Sequence, residues 1–185
     1  MNFIKVGSAC PVTKVADVDF NVENINLCID EAYDKEGFYM EVKRQNHEFP
    51  PVYDENSEIL ILGSFPSVKS REMQFFYGHP QNRFWKVLAQ VLNETVPQTI
   101  PEKKEMLLRH HIALWDVIAS CDIAGSSDSS IRNVVPNDLA YIIGRSRITR
   151  IYANGAKSKQ LYDKYLAKQL GIEAVQLPST SPANA

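Results

Sequence analysis

Four apolar residues, Ile59 to Leu62, stand directly before Gly63 and a loop of small residues. The run is brief, partly β-branched and closed by glycine, which is typical of a buried strand. Gly63–Ser67 then predicts a turn at the carboxyl edge of a sheet, where open α/β sheets bind their ligands. From Phe84 onward the apolar residues fall on one helical face, and Asn82 stands where an N-cap belongs. A strand, a polar loop and a helix start therefore converge on one place.

Strands and helices alternate along the rest of the chain. The predicted strands are Glu58–Leu62, Ile112–Ile118, Ile148–Tyr152 and Ile172–Leu177, and the later predicted helices are Glu102–His110, Asp138–Ile143 and Ala156–Leu170. Two polar stretches, Glu41–Ser57 and Cys121–Ser130, are predicted to be loops. Since alternation of this kind indicates a parallel sheet covered by helices, we expect an α/β fold with three α/β/α layers around a central four-stranded parallel sheet.

The composition indicates a globular protein of one ordinary domain, with 44% hydrophobic and 23% charged residues in a chain of 185. No apolar run approaches a membrane span and no signal peptide opens the chain, so we expect no membrane partner and a cytoplasmic location. The cysteines Cys10, Cys28 and Cys121 are widely spaced. This spacing favours a reducing compartment and argues against a disulfide framework or a metal site.

The net charge of −2 is unevenly distributed. Residues 1–39 carry three lysines against seven acidic residues, whereas residues 130–170 carry eight basic residues against two acidic ones. A local basic face is sufficient for contacts with phosphate groups, and Arg145 and Lys157 are candidates for such contacts. A solvated helix face explains any one of these basic residues equally well.

Three segments carry a resemblance to a known family. Gly63-Ser64-Phe65-Pro66-Ser67, followed by Tyr77-Gly78-His79-Pro80-Gln81-Asn82-Arg83-Phe84-Trp85, resembles the uracil-DNA glycosylase superfamily and is most similar to its hypoxanthine-DNA (deoxyinosine) glycosylase branch. Leu177–Asn184 resembles the second motif of that family. The resemblance runs from about His47 to the end of the chain. It implies the same α/β/α fold and an enzyme that excises a deaminated base from single- or double-stranded DNA.

The resemblance also implies roles for individual residues. Many relatives carry Asp or Asn at the third position of the first motif, where this chain has Phe65, which cannot orient water. The catalytic Asn of the deoxyinosine branch matches Asn82. Tyr77 matches the aromatic residue that stacks on the base, although a half-buried structural tyrosine remains the alternative. Ser179, Thr180, Ser181 and Pro182 match the loop that enters the minor groove and contacts phosphates, and otherwise form an ordinary turn.

The remaining polar residues leave alternatives open. The loop Gly63, Ser64, Phe65, Pro66 and Ser67 is a candidate cradle for the leaving base, because small residues permit close approach. Its backbone N–H groups would be the donors, and Pro66 contributes none because proline has no N–H. His79 has either a structural or a catalytic role. Asp116, at the end of a predicted strand, either reads the base or caps the loop. No lysine stands in the apolar setting of a Schiff-base nucleophile, so we expect a monofunctional enzyme without cofactor or metal.

The first 33 residues resemble a different family, the nitrilase-type amidase domain of glutamine-dependent NAD synthetase. They predict a strand at Met1–Val6 and a helix at Val22–Ala32, but no catalytic residue of that family follows. We therefore expect a foreign segment at residues 1–39 and a glycosylase-like domain at residues 40–185. The family continues with a further helix beyond its second motif, so the domain is expected to be truncated at its carboxyl end.

The sequence thus predicts a monomeric glycosylase that removes hypoxanthine from deoxyinosine in DNA. A uracil or mismatch-specific glycosylase on the same fold is one alternative, and an inactive DNA-binding hybrid is another. An amidase is disfavoured because its catalytic groups have no counterpart here.

Overall fold

The computed structural model describes residues 42–182. The strands are β1 (Lys43–Asn46), β2 (Ile59–Gly63), β3 (Ile112–Asp116), β4 (Ile118–Ile123), β5 (Arg132–Pro136), β6 (Arg150–Asn154) and β7 (Ala174–Leu177). The helices are α1 (Val68–Met73), α2 (Phe84–Leu92), α3 (Ile100–Arg109), α4 (Leu139–Ile143), α5 (Ala156–Tyr165) and α6 (Ala167–Leu170). The expected foreign segment 1–39, its two elements and its boundary lie outside the described residues, as do Ala183 and Asn184 of the second motif.

A four-stranded sheet with the order β3-β2-β6-β7 forms the centre of the fold, and all neighbouring strands are parallel. This confirms the predicted parallel sheet. Gly63 at the end of β2 pairs with Asp116 at the end of β3, and Leu62 pairs with Ala153 of β6. Three neighbouring strands therefore end at the same edge of the sheet, with Gly63, Asp116 and Asn154 as their last residues.

Side chains of β2 alternate between two apolar layers, as expected of a strand that is buried on both faces. Leu60 and Leu62 pack into one cluster, which also contains Leu139 of α4 and Leu161 of α5. Ile61 packs into the other cluster, which is formed largely by α2, α3 and the segment between α1 and α2. The sheet thus has helices on both faces, which confirms the three-layer α/β/α architecture.

A second sheet was not predicted from the sequence. It contains three antiparallel strands with the order β1-β4-β5. The strand expected at Ile112–Ile118 ends at Asp116, and β4 begins at Ile118 and continues through Cys121 into the expected loop. Cys121 is buried in the core, whereas Ser120 and Asp122 bind the Arg44 side chain on the opposite face. The polar residues at the start of the expected loop therefore belong to the solvated face of an antiparallel strand.

Other boundaries differ from the expected ones by a few residues or by an added element. The lead-in stretch Glu41–Ser57 contains β1, and the signature loop contains the helix α1, which begins at the N-cap Ser67. The helix expected at Ala156–Leu170 is interrupted at Leu166, which separates α5 from α6. No helix within residues 42–182 is long and apolar enough to span a membrane.

Candidate active site

A cavity of about 410 Å³ opens at the carboxyl edge of the parallel sheet. Its wall includes every residue that the sequence predicted for the base pocket, together with the predicted catalytic residue and the second-motif loop: Gly63, Ser64, Phe65, Pro66, Ser67, Tyr77, His79, Asn82, Asp116, Ser179, Thr180, Ser181 and Pro182. The two motifs are about a hundred residues apart in the sequence. They meet here because parallel strands all deliver their following loops to the same edge.

Gly63 lets the Asp116 side chain lie directly against the backbone of β2. A Cβ atom on Gly63 would stand 2.1 Å from Asp116 Oδ1 and 3.2 Å from the Tyr77 hydroxyl oxygen. No side chain larger than hydrogen fits at position 63 while the other two side chains keep their places. Glycine is therefore required here for close approach rather than for a special backbone conformation.

Asp116 is buried and bound by a histidine that the sequence did not single out. His47 Nε2 lies 2.8 Å from Asp116 Oδ2, and the two side chains are only 2% and 6% exposed. Because a carboxylate accepts and does not donate, Nε2 is the nitrogen that carries the proton. Asn137 Nδ2 also donates to the backbone oxygen of Asp116 at 2.8 Å, which fixes the end of β3.

Tyr77 is held with one ring face covered. Its ring stacks on Phe84 with 3.9 Å between centroids, and its backbone adopts a left-handed conformation with φ of 52°. The hydroxyl oxygen is buried and has no hydrogen-bond partner among the described residues. Burial, reinforced by the negative charge of Asp116, raises the pKa of Tyr77, so the phenol stays protonated at neutral pH.

The amide of Asn82 is oriented by the backbone of the following helix. Its Oδ1 accepts a hydrogen bond from the Phe84 N–H at 2.9 Å. The N-cap of α2 is nevertheless Arg83, whose carbonyl accepts the Val87 N–H, so the expectation that Asn82 is the N-cap is wrong by one residue. Because a backbone N–H can only bind the amide oxygen, Nδ2 is the Asn82 atom left to donate to a ligand.

His79 and Arg83 stabilise the loops around Asn82. His79 Nδ1 accepts a hydrogen bond from the Gln81 N–H, and the His79 carbonyl accepts one from the Asn82 N–H. Both contacts hold the loop, as expected of a structural role for His79. The Arg83 N–H donates to the Thr180 carbonyl at 3.0 Å. The first motif region and the second-motif loop are thus joined directly by backbone.

The second-motif loop is also tied to β6. Asn154 Nδ2 donates to Thr180 Oγ1 at 2.9 Å, and Asn154 Oδ1 accepts the Thr180 N–H at 3.3 Å. The Ser179 side chain packs against Gly155, where a Cβ atom would lie 3.1 Å from that of Ser179. The Asn154 side chain therefore helps to position the loop that borders the cavity, because it donates one hydrogen bond to Thr180 and accepts another from it.

Asp128 adds a second carboxylate to the cavity wall. It lies in the loop after β4, and its Oδ1 accepts a hydrogen bond from Ser64 Oγ at 3.2 Å. Although Asp128 is exposed, neighbouring protein atoms desolvate its carboxylate and raise its pKa, and the charge of Asp116 adds to this shift. The Ser64 bond and the positive charge of Lys157 oppose it. Lys157 is the second residue of α5, which begins directly after Gly155 at the cavity edge of the sheet, so it lies at that edge without lining the cavity.

Donors for a leaving base are available in the first-motif loop. The N–H groups of Phe65 and Ser67 donate to no other residue in the described part of the chain. The Phe65 ring is itself buried and packs with the core beneath the cavity. No group of three or more His, Cys, Asp or Glu residues within residues 42–182 is arranged to hold a metal ion.

Comparison with known proteins places this geometry in a family. The model of the uracil DNA glycosylase superfamily matches residues 50–185, which is most of the chain and includes both loops of the cavity. The chain belongs to the uracil DNA glycosylase superfamily. It is accordingly a DNA glycosylase, and its substrate is DNA.

Similar members of the superfamily come from two Methanosarcina species. A hypoxanthine DNA glycosylase of Methanosarcina acetivorans is 41% identical over 140 residues, which cover 74% of this chain and 86% of that protein. A hypoxanthine DNA glycosylase of Methanosarcina barkeri is 36% identical over 138 residues, with the same two coverages. A solution NMR structure of a candidate uracil DNA glycosylase from M. acetivorans has a TM-score of 0.67, 36% identity, and coverage of 77% of this chain and 88% of that one.

Within this glycosylase fold, neither of the two basic residues predicted to bind DNA, Arg145 and Lys157, lines the cavity, and Arg145 does not lie at the cavity's edge of the sheet. It follows α4, and its guanidinium packs over the Tyr141 ring and donates to the Tyr141 carbonyl. Nearby, the Arg147 N–H binds the carbonyl of Ser57, which precedes β2 at the amino end of the sheet. Arg145 therefore lies at the edge opposite to the cavity.

Sequence reasoning missed several residues of the glycosylase cavity or its support, among them the polar residues His47, Asp128 and Asn154. Each comes from a segment without a recognisable motif. Asn154 had one usable signal, since it ends a predicted parallel strand and such positions meet at the ligand edge. His47 and Asp128 lie in stretches predicted to be plain loops, so only the tertiary structure could reveal them.

Proposed function

We propose that this glycosylase excises hypoxanthine from deoxyinosine in DNA, by extruding the nucleotide into the cavity and hydrolysing its N-glycosidic bond. The observation that carries the proposal is the convergence of Tyr77, Asn82 and the second-motif loop on one cavity. Two relatives with 41% and 36% identity are named hypoxanthine DNA glycosylases, which supports the choice of base. Extrusion is needed because C1′ of a stacked nucleotide is not accessible inside a duplex.

Tyr77 serves in this proposal as the platform for the extruded base. Since Phe84 covers one face of the Tyr77 ring, only the other face is available for stacking. Base–aromatic stacking contributes about 1–3 kcal/mol and does not depend strongly on base identity. It therefore supplies affinity for the extruded base, while polar groups of the cavity supply the choice of base.

Asn82 orients the attacking water. The Phe84 N–H fixes the orientation of the Asn82 amide through Oδ1, so Nδ2 is held as a donor to the water oxygen, which keeps a second lone pair for attack on C1′. As the N-glycosidic bond breaks, positive charge develops on the sugar and the departing base keeps the bonding electrons; the water oxygen bonds to C1′, and the proton that the water loses ends on the departing base. The N–H groups of Phe65 and Ser67 are donors of the kind that stabilise such a leaving group.

The second-motif loop and Lys157 contact the DNA backbone in this proposal. Ser179, Thr180 and Ser181 border the cavity, and hydroxyl and backbone N–H groups are common ligands of phosphate oxygens. Lys157 lies near the same opening and supplies a positive charge. These contacts fix the position of the duplex without reading its sequence.

Uracil excision is a second candidate function. The family model and the similar solved structure both carry the name of uracil. A cavity of about 410 Å³ has room for a pyrimidine as well as a purine. The two functions differ only in which free base is released.

A substrate panel tests the proposal. The full chain is incubated with duplexes that contain one deoxyinosine, deoxyuridine or deoxyxanthosine, or only normal bases, and the free bases are identified by chromatography. We expect release of hypoxanthine, and strand cleavage only after alkali treatment, which is the result that hydrolysis without a lyase step would give. Faster release of uracil would replace the first candidate by the second, and release of no base from any duplex would contradict both.

A further inference from the structure

The buried pair of His47 and Asp116 has no part in the steps described so far. His47 comes from the segment after β1, and Asp116 ends β3 in the wall of the cavity. Their hydrogen bond of 2.8 Å joins two nearly inaccessible side chains. Burying two polar side chains costs desolvation free energy, which stability alone does not explain, so the pair needs a functional explanation.

The pair determines which carboxylate oxygen a ligand can reach. His47 Nε2 occupies Oδ2, and Oδ1 lies over Gly63, which also lines the cavity. The His47 ring is itself confined by aromatic neighbours, with 4.4 Å between its centroid and that of Phe49 and 5.8 Å to that of Phe76. Oδ1 is thus a hydrogen-bond acceptor with a fixed position at the end of the cavity.

We propose that His47 is a positioning residue for base choice: by binding Asp116 Oδ2 it holds Oδ1 as an acceptor that reads a ring N–H of the extruded base. This inference rests on the proposed glycosylase function, and it extends that function to the class of bases accepted. The class is the lactams, which carry an N–H beside a ring carbonyl. Hypoxanthine, xanthine and uracil all have this group, as do guanine and thymine, so the acceptor separates the lactam bases from adenine and cytosine.

Base chemistry explains why such an acceptor discriminates. Adenine carries an unprotonated ring nitrogen at the position where hypoxanthine carries its N1–H. A carboxylate oxygen opposite that nitrogen would place two lone pairs against each other and leave a buried oxygen without a donor. Sites built to hydrogen-bond a substrate group reject analogues that lack it by about 10⁴–10⁵-fold at best. The fixed acceptor therefore favours deaminated bases over adenine.

Two measurements test the inference on the full chain. One is the single-turnover rate of hypoxanthine release from a deoxyinosine duplex, and the other is the equilibrium binding of free hypoxanthine and free adenine by dialysis. His47→Phe removes the donor, His47→Gln keeps one, and Asp116→Ala removes the acceptor. His111→Asn serves as the matched control, because His111 is an exposed histidine at the amino end of β3.

We expect His47→Phe to slow release and to weaken hypoxanthine binding, each by about tenfold or more, with adenine binding unchanged. His47→Gln should stay within a few-fold of the original protein. In the Asp116→Ala background, His47→Phe should have almost no further effect, because His47 acts only through Asp116. Thermal denaturation checks folding, and His47→Asn, too short to reach Asp116, replaces the phenylalanine variant if that variant unfolds.

Two results would overturn the inference: an equal loss from His47→Phe with and without Asp116, or equal weakening of hypoxanthine and adenine binding. Either would give His47 a merely structural role. The dialysis arm separates this inference from the proposed function. A protein that binds hypoxanthine selectively through Asp116 but releases no base would contradict the proposed hydrolysis and leave the base-reading pair intact.

Discussion

At the scale of single residues, the site depends on an absent side chain. Gly63 leaves the space in which Asp116 Oδ1 and the Tyr77 hydroxyl lie. Gly63→Ala would put a methyl group 2.1 Å from Oδ1, so Asp116 would have to move. We expect the variant to fold and to lose tenfold or more in single-turnover base release. Gly144→Ala, at a helix end with φ of −70°, is the control and should keep its rate.

Asp128 gives a pH-dependent prediction at the same scale. Since its pKa is raised in the folded protein, ionisation costs stability as the pH rises through the interval between the unfolded and folded pKa values. Asp128→Asn keeps an acceptor for Ser64 and carries no charge. It should raise the melting temperature at neutral pH, and the difference should vanish below the carboxylate's ordinary pKa. A constant difference from pH 3 to pH 7 would contradict the assigned shift.

The motif residues that the sequence singled out all line one cavity, and they could be singled out because each motif is short and chemically unusual. Because Phe65 stands where relatives carry a polar residue, Asn82 was the remaining candidate to orient water, and both residues line the cavity. Asp116 could be placed at the sheet edge but not paired, since its partner His47 lies 69 residues earlier. Contacts of that separation leave no local pattern in a single sequence.

At the scale of secondary-structure elements, helices and strands with strong local sequence signals, such as caps and apolar periodicity, form as the sequence predicts. α3 begins with a capping box: Thr99 Oγ1 accepts the Glu102 N–H, and the Glu102 side chain accepts the Thr99 N–H. Thr99→Ala should destabilise the protein by about 1 kcal/mol, as measured by urea denaturation. Thr95→Ala, at an exposed position outside the helix, should change stability by only a few tenths of that amount.

The antiparallel sheet escaped prediction for a physical reason. One face of its strands is solvated, and the pairing between β4 and β5 is irregular. The polar residues of these strands therefore resemble those of a loop in the sequence. β2 and β3 of the parallel sheet are almost completely buried and consist of nearly continuous apolar runs. Burial on both sides produces a strong sequence signal, whereas a strand with one wet face depends on partners that only the fold supplies.

At the scale of the whole molecule, the fold places at opposite edges of the parallel sheet two basic residues that the sequence had assigned to one DNA-binding face. Lys157 lies near the cavity and Arg145 lies at the opposite edge of the sheet. If Lys157 contacts a phosphate, Lys157→Ala should weaken binding of damaged and undamaged duplex alike. It should also reduce the slope of log affinity against log salt by about one. Arg145→Ala is the matched control and should leave the slope unchanged; the reverse result would move the DNA to the other edge.

The catalytic assignment of Asn82 is tested most directly by single-turnover release of hypoxanthine from a deoxyinosine duplex, measured side by side for the original chain, Asn82→Ala and Asn82→Asp. We expect a loss on the order of 10²-fold or more for Asn82→Ala, the scale of losing a key polar catalytic group. Asn82→Asp keeps the acceptor for the Phe84 N–H but loses the Nδ2 donor, so it should fold normally and show a lower rate or an altered pH profile. Full activity in both variants, with release of hypoxanthine by the original chain, would contradict the assignment.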